Sequence, residues 1–403
     1  MKLGKYGSFI MFVLIEIQCK DWEHNRVNAG FIRHLSNAFP NEAIKLYGEV
    51  NHIKGVEDIL CNSGVKIETV AIDFFDYHGK NEDRANDYAD IIESIIRENP
   101  KENKYVLMSC NKGIILAMSD IARNHYDIRF EVILHSALEE VVAGNKGLSL
   151  LRQMHLFFHA LRHGQTYKKA DKTVLMRDCL EKCINENCRF IVYSPNYKEG
   201  LKGRLDDRII EKIAFVNHPC YESIYKHKIN DESKVIIGVY GQAVNDNAIS
   251  IIKRYNATYD NGNIEFRVKT TKDSDLLRMK NVAPMFSNEY VSNEELEKTI
   301  SAFDYIMIPY DRGQYIVSAS GIFFDAVSQR IPLITLDSPF FRYYFRYDIG
   351  VMSESCSGLA EILPNLRKDE KLDVKYRNGM DSLYDSIMGE NSVLLETIFK
   401  KQF

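Results

Sequence analysis

The chain is short of the features that mark several common protein classes. It has 1 tryptophan and 9 prolines in 403 residues and no low-complexity tract, which excludes a large disordered region. No uninterrupted apolar run approaches the roughly eighteen residues that a membrane span requires. The 8 cysteines are scattered. Cys179, Cys183 and Cys188 form the only cluster, with no Cys-x-x-Cys pair and no paired histidines to complete a zinc site. They read as reduced, mostly buried thiols of a cytosolic protein, and no structural metal is expected. A net charge of −4 argues against a general nucleic-acid binder, which is usually basic. No repeat is visible at periods of about 20–50 residues.

What is present is a steady alternation of apolar runs and helical periods. The first run, residues 9–17 (FIMFVLIEI), follows Lys2 and Lys5. It contains Glu16 and lacks a small-residue cleavage site, so it reads as a buried strand rather than a signal peptide. Further strands are expected at 43–47, 65–72, 105–109, 130–135, 189–193 and 213–216, with helices between them. That pattern belongs to a doubly wound parallel sheet. Residues 218–233 are polar and turn-rich and read as a linker. A second α/β set begins with the run KVIIGVY at 234–240. The expected division is therefore an N-terminal domain over 1–217, a C-terminal domain over 234–370, and a helical tail over 371–403.

The most informative stretch is residues 305–339, YIMIPYDRGQYIVSASGIFFDAVSQRIPLITLDSP. A buried strand leads through a polar loop ending Ser318-Ala319-Ser320-Gly321 into a helix, then a second strand. A strand, a small-residue loop and a helix N-terminus together present free N–H groups and a positive dipole end to an anion. Ser320 and Gly321 would let a diphosphate approach the backbone. Asp325, one turn on, offers a carboxylate of the kind that accepts hydrogen bonds from a ribose diol. The same spacing also suits a plain βαβ unit with a serine cap and a solvated aspartate.

This segment resembles the donor-site region of glycosyltransferases of the two-domain GT-B fold. The match lies in Ser320-Gly321, Asp325-Ala326 and Pro332-Leu333-Ile334, preceded by a helix and Asp304. Two positions differ: the acid is Asp325 rather than Glu, and Val317 occupies the first acidic position of the retaining family-4-type enzymes. The resemblance implies an α/β fold of two doubly wound Rossmann-like domains facing across a cleft, with the helical tail 371–403 packing back on the N-terminal domain. The C-terminal domain would hold a nucleotide-sugar and the N-terminal domain a glycan or lipid-linked acceptor, in bacterial surface polysaccharide synthesis.

On the donor side the candidates are Gly241, Gln242, Lys269, Phe286, Arg312, Ser318, Ser320, Gly321 and Asp325. The cations would stabilise the leaving diphosphate without a metal, and no cofactor is expected. On the acceptor side, His135 and Glu139 are one helical turn apart and could form a base with its orienting partner. The first loop adds His24, with Asp21, Glu23 and Trp22 beside it. Each of these also has a plainer reading as a capped, first-turn or solvated residue. Between Leu148 and Lys169 an aromatic, basic helix could lie on the inner face of a membrane or simply on the sheet. A sugar-nucleotide epimerase on the same fold and a non-catalytic partner subunit are the alternatives.

Overall fold

The computed structural model describes residues 11–61, 63–73, 81–100, 103–143, 175–183, 187–223, 225, 234–259, 263–269, 275–286, 292–366 and 370–400. Two parallel sheets carry the chain. The first contains β1 (Met11–Ile15), β2 (Ala43–Gly48), β3 (Glu68–Ala71), β4 (Lys104–Leu107), β5 (Phe130–Ile133), β6 (Cys188–Val192) and β7 (Ile213–Phe215), in the order β3-β2-β1-β4-β5-β6-β7. The second contains β8 (Val235–Val239), β9 (Ile264–Val268), β10 (Val282–Pro284), β11 (Tyr305–Ile308), β12 (Leu333–Leu336) and β13 (Gly350–Ser353), in the order β10-β9-β8-β11-β12-β13. Both are doubly wound, as the alternation of runs and periods predicts.

Burial on both faces explains why the inner strands β1, β8 and β11 are nearly continuous apolar runs. In β1, Phe12 and Leu14 enter the core shared with the helix Asn25–Ala38, while Val13 and Ile15 enter the core on the opposite face. Each such side chain contributes roughly 1.5–3 kcal/mol relative to exposure. In β8 the run is interrupted by Gly238, where a Cβ would lie 2.2 Å from the Phe303 ring. The missing side chain is what lets Phe303 close over the strand.

Caps fix where the helices begin. The Glu49 carboxylate accepts the N–H groups of Asn51 and His52, both at 2.9 Å, at the start of Val50–Leu60. Ser320 caps Gly321–Gln329 by accepting from Phe323 N–H at 3.4 Å. That helix stops at Arg330, whose φ of 61° is left-handed.

The segment after β7 differs from its polar composition. Asn217, His218, Cys220, Tyr221 and Ser223 are all buried. Asn217 and Ser223 find partners the local sequence does not reveal. Asn391 donates to Asn217 O at 3.0 Å, Asn217 donates to Glu390 at 3.1 Å, and Ser223 donates to Glu297 at 2.8 Å. The tail helix Glu370–Lys400 supplies the first two. It also receives Arg33 on Tyr384 at 3.1 Å and Arg189 on Ile398 O at 2.9 Å, and Phe399 meets Phe12 edge-on at 5.0 Å. On the other side Arg330 pairs with Asp381 at 3.2 Å, so the tail touches both halves of the chain.

Candidate functional site

In each sheet the winding direction reverses between the first and fourth strands, β1/β4 and β8/β11. Loops leaving the carboxyl ends of strands at such a reversal leave a crevice between them. In the second sheet those loops are Gly241–Ala243 after β8 and the segment from Tyr310 to Ser320 after β11. Gly241 has a left-handed φ of 55°, and a Cβ there would meet Ile322 at 3.0 Å. Glycine thus satisfies both the turn and the close approach of the following helix. Ser320 is fully buried and pairs with Tyr310 at 3.0 Å. Gly321 is exposed, with open space where a side chain would stand. At the end of β9, Lys269 is exposed and its ammonium lies 5.7 Å from the half-buried Phe286 ring. Arg312 is exposed and faces Asp337 at 3.6 Å, a carboxylate that also holds Arg342.

The first sheet presents a different rim. Glu16, fully buried just beyond β1, accepts from the N–H groups of Gln18 and Cys19 at 2.9 and 3.0 Å and from Asn28 at 3.0 Å. This carboxylate folds the loop that carries His24. The His24 ring packs against His135 at 4.4 Å, and His135 lies 5.5 Å from His218. Burial, aided by the two neighbouring imidazoles, holds His135 well below the ordinary histidine range. Its Nδ1 is buried with no hydrogen-bond partner. His218 is brought down to about 3 by burial, against a hydrogen bond to Pro219 O at 3.0 Å, and its ring stacks on Phe324 at 4.4 Å.

Three sets of contacts join the rims. Glu139, opening a short helix after β5, accepts from Ser318 at 2.5 Å. Beside it, Val317 is fully buried in the core of the first sheet, and Ile316 O accepts from Ser194 at 2.8 Å. Gly200 makes room for this insertion, since a Cβ there would stand 2.5–2.6 Å from Ile316 and Val317. On the other flank Arg26 donates to Asp325 at 3.1 Å, lies 3.8 Å from Glu297, and sits 5.1 Å from the Tyr221 ring. Burial works against the charged guanidinium, but Tyr221, Asp325 and Glu297 outweigh it and raise its basicity. Burial pushes the Asp325 carboxyl up, and Arg26 offsets part of that shift.

No protein-family model matches the sequence, and no curated protein is detectably similar to it. The architecture has clear counterparts. The chain is similar to sucrose-phosphate synthase from Thermosynechococcus elongatus, with a TM-score of 0.61 at 11% identity over 97% of this chain and 99% of that one. It is similar to Anabaena HepE, solved with UDP-glucose, at a TM-score of 0.59 and 10% identity over 97% and 100% of the two chains. It is also similar to the lipopolysaccharide outer core galactosyltransferase WaaB, at 0.58 and 11% over 98% and 100%. The chain has the GT-B glycosyltransferase fold.

Within this GT-B fold the structure brings together His24 with His135, Lys269 with Phe286, and Ser318 with Glu139. It does not bring Glu139 to His135 through a hydrogen bond, because the carboxylate is taken by Ser318. Gln242 and Gly321 face solvent, and Asp325 is turned toward Arg26. Lys272, Asn288 and the stretch between Leu148 and Lys169 lie outside the described residues. Arg26, Glu297, Tyr221, His218 and Glu16 were not singled out by spacing. Arg26 stands in the first turn of the helix Asn25–Ala38, two residues after His24, but nothing local distinguishes it from a solvated cation. An Asp-x-Asp tripeptide is present as Asp273-Ser274-Asp275; the exposed Asp275 carboxylate lies 3.4 Å from Arg278. Among the described residues no three metal-ligating side chains converge, and no helix is long and apolar enough to cross a membrane.

Proposed function

We propose that this chain transfers a sugar from a nucleotide-sugar to a hydroxyl of a glycan or glycolipid acceptor, in the synthesis of a bacterial surface polysaccharide. The observation that carries this reading is the crevice at the β8/β11 reversal. There the exposed N-terminus of Gly321–Gln329 has open space at Gly321, with Gly241 against the same helix. Backbone N–H groups at that end suit a diphosphate, and Lys269 and Arg312 would complement its charge as it leaves. Phe286 would lie against the base and Asp325 would accept the ribose diol. Gln242, Ser318 and Ser320 would complete the donor side. No metal or other cofactor is required in this scheme.

On the facing rim, the acceptor hydroxyl would attack the anomeric carbon as the carbon–oxygen bond to the diphosphate breaks. The diphosphate leaves with the electron pair, and the hydroxyl proton passes to a base. His135 is the first candidate for that base, since its Nδ1 has no hydrogen-bond partner among the described residues. His24, packed against His135, and Glu139, bound to Ser318, are the other candidates. The work would be done in the cytoplasm, with peripheral contact at the inner membrane face through residues 148–169.

The gathering of His24, His135 and His218 in one place favours a second reading, a sugar-nucleotide epimerase on the same fold. It would turn over the donor with no acceptor present.

Calorimetry against UDP, GDP, CDP and their sugars tests the donor site. Because UDP-glucose is the ligand named for HepE, UDP-sugars come first in the panel. Saturable binding of one diphosphate, weakened by Lys269→Ala and by Asp325→Asn, is the expected result. Failure of every nucleotide to bind the intact chain would remove both enzymatic readings and leave a non-catalytic partner subunit.

A further inference from the structure

Of the large apolar side chains, Trp22 is 61% exposed and Val50 60% exposed. They lie on segments tied to one another at the carboxyl ends of β1 and β2. The Glu49 carboxylate accepts from Asp21 N–H at 3.1 Å, and Asn51 donates to the Asp21 carboxylate at 3.3 Å. These bonds bracket both apolar residues. Asp21, Glu23 and Asn51 around them are exposed as well.

The loop holding Trp22 is fixed rather than floppy. Its flanking residues Asp21 and His24 take left-handed φ values of 48° and 54°, a conformation non-glycine residues keep only where surrounding contacts enforce it. Here those contacts are the Glu49 and Asn51 bonds, the Asn25 amide on Asp21 O at 3.4 Å, and Glu23 N–H on Lys20 O at 3.0 Å. The indole rests on the helix Val50–Leu60 where Gly55 has no side chain; a Cβ there would lie 3.4 Å from Trp22 Cε3 and only 2.0 Å from the Asn25 amide.

An exposed indole gains little stability for the fold, since its open area is not removed from water. It does offer a negatively polarised ring face. Carboxylates and an amide at its margin accept and donate hydrogen bonds in the plane of a bound ring. A pyranose matches both parts at once: a face of polarised C–H groups and a rim of hydroxyls. The neighbouring carboxylates disfavour an anionic lipid surface. We propose that Trp22 and Val50, with Asp21 and Asn51, form a saccharide platform that takes a neutral pyranose unit of the acceptor. The site lies on the His24 side of the chain. The assignment of the sugar as acceptor rests on the glycosyltransferase reading; the platform itself does not.

The chain's 1 tryptophan gives a direct readout. The full-length protein is titrated with maltose, lactose, cellobiose and the methyl glycosides of glucose, galactose and mannose. Intrinsic fluorescence and saturation-transfer NMR of the sugar protons are followed together. The expected result is a saturable emission change with at least one sugar. The ring C–H protons of one sugar face should receive the strongest saturation, and the signal should fall at least fivefold in Trp22→Ala and be partly retained in Trp22→Phe. Equal saturation transfer in Trp22→Ala and the parent chain, or no transfer from any of these sugars, would overturn the proposal. UDP calorimetry on the same samples separates the two ideas. Sugar binding at Trp22 without nucleotide binding would end the transferase reading and leave the platform standing. Nucleotide binding unchanged in Trp22→Ala is expected if both hold.

Discussion

The two sheets share one winding and end in opposite kinds of rim. Beyond the first sheet the loops that carry the histidines hold buried polar groups: His135 and His218 held low by burial, and a Glu16 carboxylate consumed by backbone N–H groups. Beyond the second, Gly321 is open and Lys269 and Arg312 stand in solvent. The first rim is shaped by hydrogen bonds that cannot be rearranged cheaply. The second keeps charge available and contributes little to stability through it. A rim of the first kind can orient a hydroxyl-bearing molecule through neutral imidazoles, and one of the second kind can meet an anion. Removing the buried charge where the first rim meets the second should therefore cost stability, while removing exposed charge from the second should only weaken binding.

The largest effect belongs to Arg26, the cation of the first rim that reaches the second. Its side chain is 13% exposed and that of Asp325 17%. Arg26→Ala would strand Asp325 and Glu297 without their counter-charge, at a cost of about 3–5 kcal/mol. Urea unfolding measures this. Arg26→Ala with Asp325→Asn should cost less than the two changes added, because the stranded carboxylate is then neutral. Simple additivity would mean that the pair is not a functional link between the rims.

Next comes the insertion of Val317. Gly200→Ala would press on two β-branched side chains that have little rotamer freedom, and overpacking of this kind costs about 1–3 kcal/mol. Hydrogen exchange should rise at residues 316–318 as the loop lifts from the first sheet. Unchanged protection there would show that the two rims are not docked through this loop.

Acid should expose the neutral character of the first rim. Burial lowers both His34 and His218 from 6.5 to about 3. As pH falls below 6.5 the unfolded chain binds these protons first, so the stability present above that value is lost progressively down to about 3. The slope is about 1.4 kcal/mol per pH unit for each histidine. His218→Asn should remove one such increment from the stability profile between pH 6 and 4, whereas Lys269→Ala should leave the profile's slope unchanged.

Much of this architecture could be read from local pattern. Strands such as β8 and β12 are buried on both faces and so appear as short apolar runs, and Ser320 sits where a cap must. Asp325 could be singled out as a candidate but not its partner, because Arg26 lies 299 positions away. The same distance problem made the segment around His218 read as a linker: Asn217 is held by the tail and Ser223 by Glu297. Val317 looked like a missing acid and is instead an apolar anchor, which only the packing of the two sheets explains. The histidine group is likewise assembled from loops after three separate strands, β1, β5 and β7.

The smallest effects on stability belong to the second rim. Lys269 is exposed and has no carboxylate partner among the described residues, so Lys269→Ala should change stability by less than about 0.5 kcal/mol. A charge-assisted contact to phosphate is worth about 1.5–3 kcal/mol, and its loss should weaken diphosphate binding by about ten- to a hundredfold. Arg312→Ala should weaken it less, because Asp337 at 3.6 Å already balances that cation. Calorimetry on the two variants at low and high salt reads both the ranking and the electrostatic origin, since exposed charges are screened as salt rises. If Arg312→Ala were the more damaging, the diphosphate would lie on the β12 side of the crevice, and Asp337 would have to release its arginine for the ligand to bind.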